Sequence, residues 1–367
     1  MASPTLLSSA RETLRRLPLT VFPQPMIPLT LGTFLFAFAG TRWLMGSGNS
    51  LSTVAEPNHR SLHKKSTPNG GGLAIVIGIL LVEVCQQLLG GSFFPNALAL
   101  MGFIGIAGIS FLDDRRPIRS SIRLAVHLGG ALCLVLSGLY VFEIPLPGLL
   151  DQPAALGWLA IPLAVVFTVW FTNLYNFMDG MDGFAGGMTV LGFAGCAMLA
   201  WAQDDASLAL FCAVIAASGG GFLCWNFPPA KIFMGDVAAA PLGYLVAMVA
   251  FLGHKHQSLD LWQTLIIFSP FWVDATATLL RRLAKRDRIW EAHRTHGYQR
   301  LANAGWGHRK TALAEYGLML LMLAAAWWFG ELEEQGQLTL LFAILLLFLL
   351  LWLGVRAVER SYRAVKE

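Results

Sequence analysis

Runs of apolar residues, each long enough to cross ~30 Å of hydrocarbon as a helix, recur along almost the whole chain with short polar breaks between them. Eleven are predicted as transmembrane helices, at about 27–45, 72–90, 95–112, 122–142, 156–172, 184–201, 206–225, 237–253, 261–280, 312–330 and 337–356. The alternating ~10-residue segments of a membrane β-barrel are not visible. The expected fold class is therefore all-α, a polytopic integral membrane protein of about 11 transmembrane helices with cytoplasmic catalytic loops. One membrane domain is expected over 27–356, with a leader at 1–26 and a basic tail at 357–367. The leader holds Arg11, Arg15 and Arg16 but no apolar core ending in a small-residue cleavage site. It reads as an amphipathic or loose leader, for which an interfacial helix is one form, and not as a signal peptide.

Composition agrees and adds a direction. The chain is 56% hydrophobic and 13% charged, against about 25% charged residues in soluble domains. Loops alternate sides, so those after the odd-numbered spans share one face with the C-terminal tail. That face carries 22 of the 26 Lys and Arg residues, and the positive-inside rule makes it cytoplasmic. The arginines of the leader fall on the other face and are the exception. All five cysteines lie in apolar runs without a Cys-x-x-Cys pair. They are expected to be buried hydrophobes, with no disulfide or metal role.

The unusual polar residues all fall on the basic face. Asp113 and Asp114 close the third span. Adjacent carboxylates repel unless a cation, an arginine or a shared proton intervenes, and a helix C-terminus disfavours negative charge. Pairing with Arg115, Arg116 or Arg119 is one explanation; a divalent cation is the other. Asn173, Asn176, Asp179 and Asp182 recur at a spacing of three, which predicts one helical stripe of oxygen donors. Such donors suit Mg²⁺ or Mn²⁺. The alternative is a polar break with a small-residue packing face.

Asn226, Phe233 and Asp236 lie in the segment between spans 7 and 8. Asp236 follows Gly235 where a helix N-cap is predicted. Phe233 is placed to stack on a planar base, or else is a core aromatic. The run from Glu56 to Gly72 carries Lys65 and ends in three glycines before a helix. That arrangement can hold phosphate, although its basic residues also satisfy the positive-inside rule alone. The long loop at 281–311 contains His293, Arg294 and His296, which can give charge-assisted hydrogen bonds to phosphate. Asp274 is expected to pair with Arg281 or Arg282, and Glu83 is assigned no role.

In this order, the Asp-Asp pair, Asn-x-x-Asn-x-x-Asp-Gly-x-Asp-Gly, Phe-Met-Gly-Asp and the histidine loop resemble the polyprenyl-phosphate N-acetylhexosamine-1-phosphate transferases. The similarity runs from about Glu56 to Arg300. It implies a Mg²⁺-dependent transfer of a sugar-1-phosphate from a UDP-N-acetylhexosamine to undecaprenyl phosphate, releasing UMP, in a bacterial inner membrane. By this resemblance Asp113, Asp114 and Asp179 are catalytic. Asp236 and Asn176 hold the metal. Asp182 and Phe233 recognise the uracil, with Asn173 and Asn226 also at the nucleotide-sugar. Arg123 and Lys65 meet the lipid phosphate, and His293, Arg294 and His296 bind sugar or pyrophosphate. Many relatives carry His-x-His-His where this chain has His293-Arg-Thr-His296. This variant resembles the O-antigen-initiating branch.

The expected partners are the UDP-sugar, undecaprenyl phosphate and membrane lipids. A homodimer is compatible, and no nucleic acid is expected. Direct attack by the lipid phosphate is the expected mechanism, with an aspartyl-phosphate on Asp113 or Asp114 as its rival. From another class, a secondary transporter would use such carboxylates as ion sites, but near the bilayer midplane and in internal repeats.

Overall fold

The computed structural model describes residues 26–46, 49–56, 66–287 and 294–366. The expected leader lies outside them except for Met26, which opens helix α1 (Met26–Leu44). Strands β1 (Thr53–Ala55) and β2 (Thr67–Asn69) pair antiparallel. Then come α2 (Gly72–Leu88), α3 (Ala97–Asp113) and α4 (Ser120–Leu136). A short pair, β3 (Glu143–Ile144) with β4 (Ala154–Ala155), and a 3₁₀ turn lead into α5 (Ala160–Met178). Next are α6 (Phe184–Ala202), α7 (Ala206–Asn226) and α8 (Asp236–His256). They are followed by α9 (Leu261–Ile267), α10 (Ser269–Ala284) and the short α11 (Gly297–Leu301). After a π-helical turn, α12 (Gly307–Phe329) and α13 (Glu334–Lys366) complete the chain.

The protein is a polytopic, all-α membrane protein. Seven helices among the described residues are long and apolar enough to span a bilayer, and α2, α3 and α4 are shorter apolar helices. The remaining expected span, 261–280, is not one helix. It breaks at Phe268 into α9 and α10, with Pro270 in the first turn of α10, where a missing N–H costs nothing. The basic segment expected as a tail is the last part of α13, which continues unbroken to Lys366.

Helix α8 is the axis of the bundle. Every residue from Val237 to Gly253 is buried, with α5 and α3 as its main neighbours. Lipid tails are as apolar as leucine, so close packing and polar contacts, not hydrophobicity, hold such helices together. Gly243 shows how close α8 and α5 come: a Cβ there would sit 2.1 Å from the Phe171 carbonyl oxygen. Leu345, Leu349 and Leu353 of α13, by contrast, are exposed, a surface suited to lipid.

The two ends of the bundle separate as the loop count requires. At the end expected outside the cytoplasm, Asp205 accepts from Ser258 and meets His256 Nδ1, both at 2.8 Å. Glu83 belongs there too, and it has a partner set. It is buried and accepts from Gln87, from Ser92 and from the Phe93 amide. Cys196 and Cys212 are buried as expected, but Cys85 and Cys224 are exposed; all five are free thiols.

Candidate active site

At the opposite end, a cleft of about 230 Å³ is lined by Asp114, Asp179, Asp182, Asn226, Phe233 and Asp236. These residues come from three sequence-distant segments, and each helix end aims its loop at the same point. Asn69, Gln299 and His308 also line the cleft, and the sequence did not single them out.

The Asp113-Asp114 pair divides its labour. The Asp114 carboxylate reaches across to the first turn of α8. It accepts from the Asp236 amide at 3.1 Å and the Val237 amide at 2.9 Å, with Asn69 Nδ2 at 3.3 Å. It therefore satisfies orphan donors of α8, where the macrodipole favours an anion. Asp236 is not the N-cap that its position predicts. Gly235 occupies that place, at φ +79°, and a Cβ there would lie 2.7 Å from Asp114 Oδ2. Asp236 is thereby left to face the cleft, hydrogen-bonded to Asn176.

Asp113 pairs with neither Arg115, Arg116 nor Arg119 in any described ion pair. Its partner is Arg123, whose Nη1 contacts Asp113 Oδ2 and also lies 3.2 Å from Asp236 Oδ2. A single guanidinium thus links the two carboxylates. The Ile118 amide donates to the other Asp113 oxygen at 2.6 Å.

The expected stripe of four donors does not form. Helix α5 stops at Met178, and Asp179 is its C-cap at φ −86°, ψ 48°. Asn173 turns away from the cleft, donating to the Val169 carbonyl at 2.7 Å and bonding His127 of α4. Asn176 stays on the helix, and Asp179 and Asp182 enter from the loop. Asp179 accepts from the Gly235 amide. Asp182 accepts from the Ala230 amide at 3.0 Å, and His308 Nδ1 lies 3.0 Å from its other oxygen. Asn226 lines the cleft, yet both ends of its amide are occupied. It accepts from the Gly183 amide and donates to the Ile232 carbonyl, each at 2.9 Å. It fastens the two loops together.

The glycine-rich entry to α2 does not present free amides to a phosphate. Gly71 and Gly72 donate to the Phe233 and Met234 carbonyls, both at 2.9 Å. Those bonds, with the Phe233 amide on Pro68, set the ring of Phe233 at the cleft wall. Lys65 and His293 lie outside the described residues. Arg294 is exposed, whereas His296 is buried beside Tyr298, rings 5.9 Å apart. Burial holds the His296 imidazole below its ordinary value. Neither Arg294 nor His296 lines the cleft; Gln299, three residues past His296, does. Asp274 makes no close ion pair with Arg281 or Arg282 among those described, although its charge acts on Arg281. It accepts from the Gly297 and Tyr298 amides at 2.7 and 3.3 Å, capping α11.

The cleft concentrates negative charge. Burial, then the charge on Asp236, pushes the Asp114 carboxyl up to about 7 despite its amide donors. Burial and the charges on Asp236 and Asp114 hold Asp179 well above the usual carboxylate range. Such groups ask for a cation. Their donors are all oxygens, which suit Mg²⁺. No three His, Cys, Asp or Glu side chains among the described residues form a ready-made metal cage. That is compatible with Mg²⁺, which takes one or two carboxylates and completes its shell with water and substrate phosphates.

Comparison with known proteins gives the family. The glycosyl transferase family 4 profile matches residues 96–254. The chain is 33% identical to the probable undecaprenyl-phosphate N-acetylglucosaminyl 1-phosphate transferase of Bacillus subtilis (strain 168), over 72% of this chain and 74% of that protein. It is 30% identical to the decaprenyl-phosphate N-acetylglucosaminephosphotransferase of Mycobacterium leprae (strain TN), over 73% and 74%. It is 28% identical to a phospho-N-acetylmuramoyl-pentapeptide-transferase of Halalkalibacterium halodurans, over 74% and 87%. The fold and the site define a membrane-embedded enzyme with an acidic cleft at one bundle end. The chain belongs to the polyprenyl-phosphate N-acetylhexosamine-1-phosphate transferase superfamily.

Proposed function

We propose that the protein transfers an N-acetylhexosamine-1-phosphate from a UDP-sugar to undecaprenyl phosphate, releasing UMP, as the first step of a cell-surface glycan such as O-antigen. Transfer of a sugar-1-phosphate to a polyprenyl phosphate is what the named relatives share. The observation that carries the reading is the convergence of Asp114, Asp179, Asp182, Asp236 and Phe233 on one cleft, beside the Arg123 bridge. The O-antigen branch is favoured by the His293-Arg-Thr-His296 variant, and the basic balance of the loops favours a cytoplasmic cleft.

The acceptor phosphate monoester has a second pKa of about 6, so its oxygen is largely ionised at pH 7. It needs little help from a base. That oxygen attacks the β-phosphorus of the UDP-sugar, the bond from this phosphorus to the bridging oxygen breaks, and UMP leaves with the electron pair. The difficulty is bringing two anions together. Arg123 meets the acceptor phosphate, at the cost of loosening its hold on Asp113 or Asp236. Phe233 stacks on the uracil while Asp182, oriented by His308, accepts from its N–H. Asp236 and Asn176 are the residues that would hold Mg²⁺ or Mn²⁺, and such an ion offsets pyrophosphate charge and stabilises the departing UMP. Asp114 is a poor nucleophile, since both its oxygens accept from α8 amides; this argues against an aspartyl-phosphate on Asp114.

Purified protein, undecaprenyl phosphate, Mg²⁺ and a panel of UDP-N-acetylhexosamines test the reading together. UMP release that requires both substrates is expected. A complete panel without UMP release would overturn it, and a transporter would give that result. A phospho-enzyme labelled from UDP-sugar before lipid is added would overturn direct attack alone.

A further inference from the structure

A second cavity, of about 250 Å³, shares no lining residue with the acidic cleft. Helix α10 contributes Arg281 and its C-cap residue Lys285, and α11 contributes Arg300. The last turns of α13 add Arg356, Arg360 and Arg363. Among the described residues, Glu359 is the one carboxylate in the lining, and it is taken. Arg300 Nε donates to it at 2.8 Å, and Arg300 Nη2 bonds its other oxygen. Five further cations thus surround a space large enough for a phosphate group. Clustered like charges repel, and a cavity lined by one sign concentrates counter-ions of the other.

The surroundings fix the depth of this cavity. The apolar run of α13 ends at Val355, and the guanidinium of Arg356, the next residue, lies over the Trp352 indole, 3.4 Å from the ring centroid. Tryptophan and arginine together mark the headgroup level of a bilayer. On α10, Leu280 and Leu283 flank Arg281 and are 59% and 58% exposed. The cavity therefore opens where charge and hydrocarbon meet. A free phosphate ion would use only the charge. An amphiphile uses both features.

We propose that this basic cavity, formed where the end of α13 meets α10 and α11, binds the phosphate headgroup of an anionic membrane phospholipid. The lipid ties α13 to the cytoplasmic end of the bundle, one residue from Gln299 of the acidic cleft. The site is separate from the Arg123 position and does not depend on the transferase reading.

Native mass spectrometry of the delipidated full-length protein in neutral detergent tests this. The probes are phosphatidylglycerol, phosphatidylcholine, inorganic phosphate and undecaprenyl phosphate. Phosphatidylglycerol should be retained in preference to phosphatidylcholine. Arg360→Gln with Arg363→Gln should weaken its binding by about thirtyfold, the contribution of two basic side chains at an anionic surface. Arg360→Lys with Arg363→Lys should restore most of it, which separates lost charge from misfolding. Equal retention of the two phospholipids would overturn the proposal, as would unchanged binding in the glutamine variant. Inorganic phosphate bound as tightly as phosphatidylglycerol would make the cavity a soluble-anion site. Undecaprenyl phosphate weakened by the same factor would make it part of the acceptor site. The readout is lipid retention and not turnover, so its failure leaves the transferase reading untouched.

Discussion

Asp114 and Asp236 are both acidic and both face the same cleft, yet their surroundings give them different work. Asp114 caps α8, so Asp114→Ala should cost stability, about 0.5–2 kcal/mol for a lost cap. Asp236→Ala should leave thermal stability nearly unchanged and lower kcat by about 10²–10³, the scale for removing one electrostatic stabiliser of a transition state. Thermal unfolding and UMP release, measured on both variants, separate the two roles; equal stability losses would contradict them. The Asp114 carboxyl also sets a pH dependence. Its folded value of about 7 lies above its ordinary 3.8, so between these limits the folded protein keeps a proton that the unfolded chain has released. Stability in EDTA should therefore fall as pH rises through that window. Added Mg²⁺ should flatten the profile by neutralising the cleft, and an already flat profile in EDTA would count against the charge cluster.

The elements matter through how they end. Helix α5 stops one residue before Asp179, and that stop turns a predicted stripe into a loop that bends around the cleft. Asn226, the last residue of α7, then ties this loop to the one before α8. Asn226→Leu removes both bonds and buries the Gly183 N–H and Ile232 C=O unpaired, about 1–3 kcal/mol for each group. A lower melting temperature is expected, with a KM for the UDP-sugar raised more than kcat is lowered. His308, at the start of α12, lines the cleft and lies 3.0 Å from Asp182. His308→Ala should raise the KM for the UDP-sugar about tenfold, roughly one lost polar contact to Asp182, and His308→Gln should recover part of it. A kcat loss with unchanged KM would assign His308 to the chemistry instead.

At the scale of the molecule, the site exists because the ends of α3, α5 and α7 and the starts of α4 and α8 meet at one end of the bundle. Its orientation is testable in intact cells. In a cysteine-free background, Gln335→Cys should react with an impermeant maleimide from outside. Asp287→Cys, near the acidic end, should react only after the membrane is opened. The reverse pattern would invert the topology inferred from the 22 basic residues of one face.

Much of this was legible in the chain because a bilayer is a demanding solvent. Backbone polar groups must be satisfied within each crossing segment, so apolar length predicted most of the helices before any contact was known, and Lys/Arg asymmetry predicted the sidedness that the maleimide experiment tests. The acidic motifs stood out for the same reason: carboxylates near hydrocarbon are costly. Tertiary structure decided what length and composition do not encode. It placed the Phe268 break in the ninth span, made Asp114 and not Gly235 or Asp236 the donor-satisfying group of α8, and turned Asn173 toward His127. It also brought Asn69 and His308 to residues 45 and 126 positions away. Such partners depend on where a helix stops and which neighbour lies opposite, and packing around the buried α8 settles both.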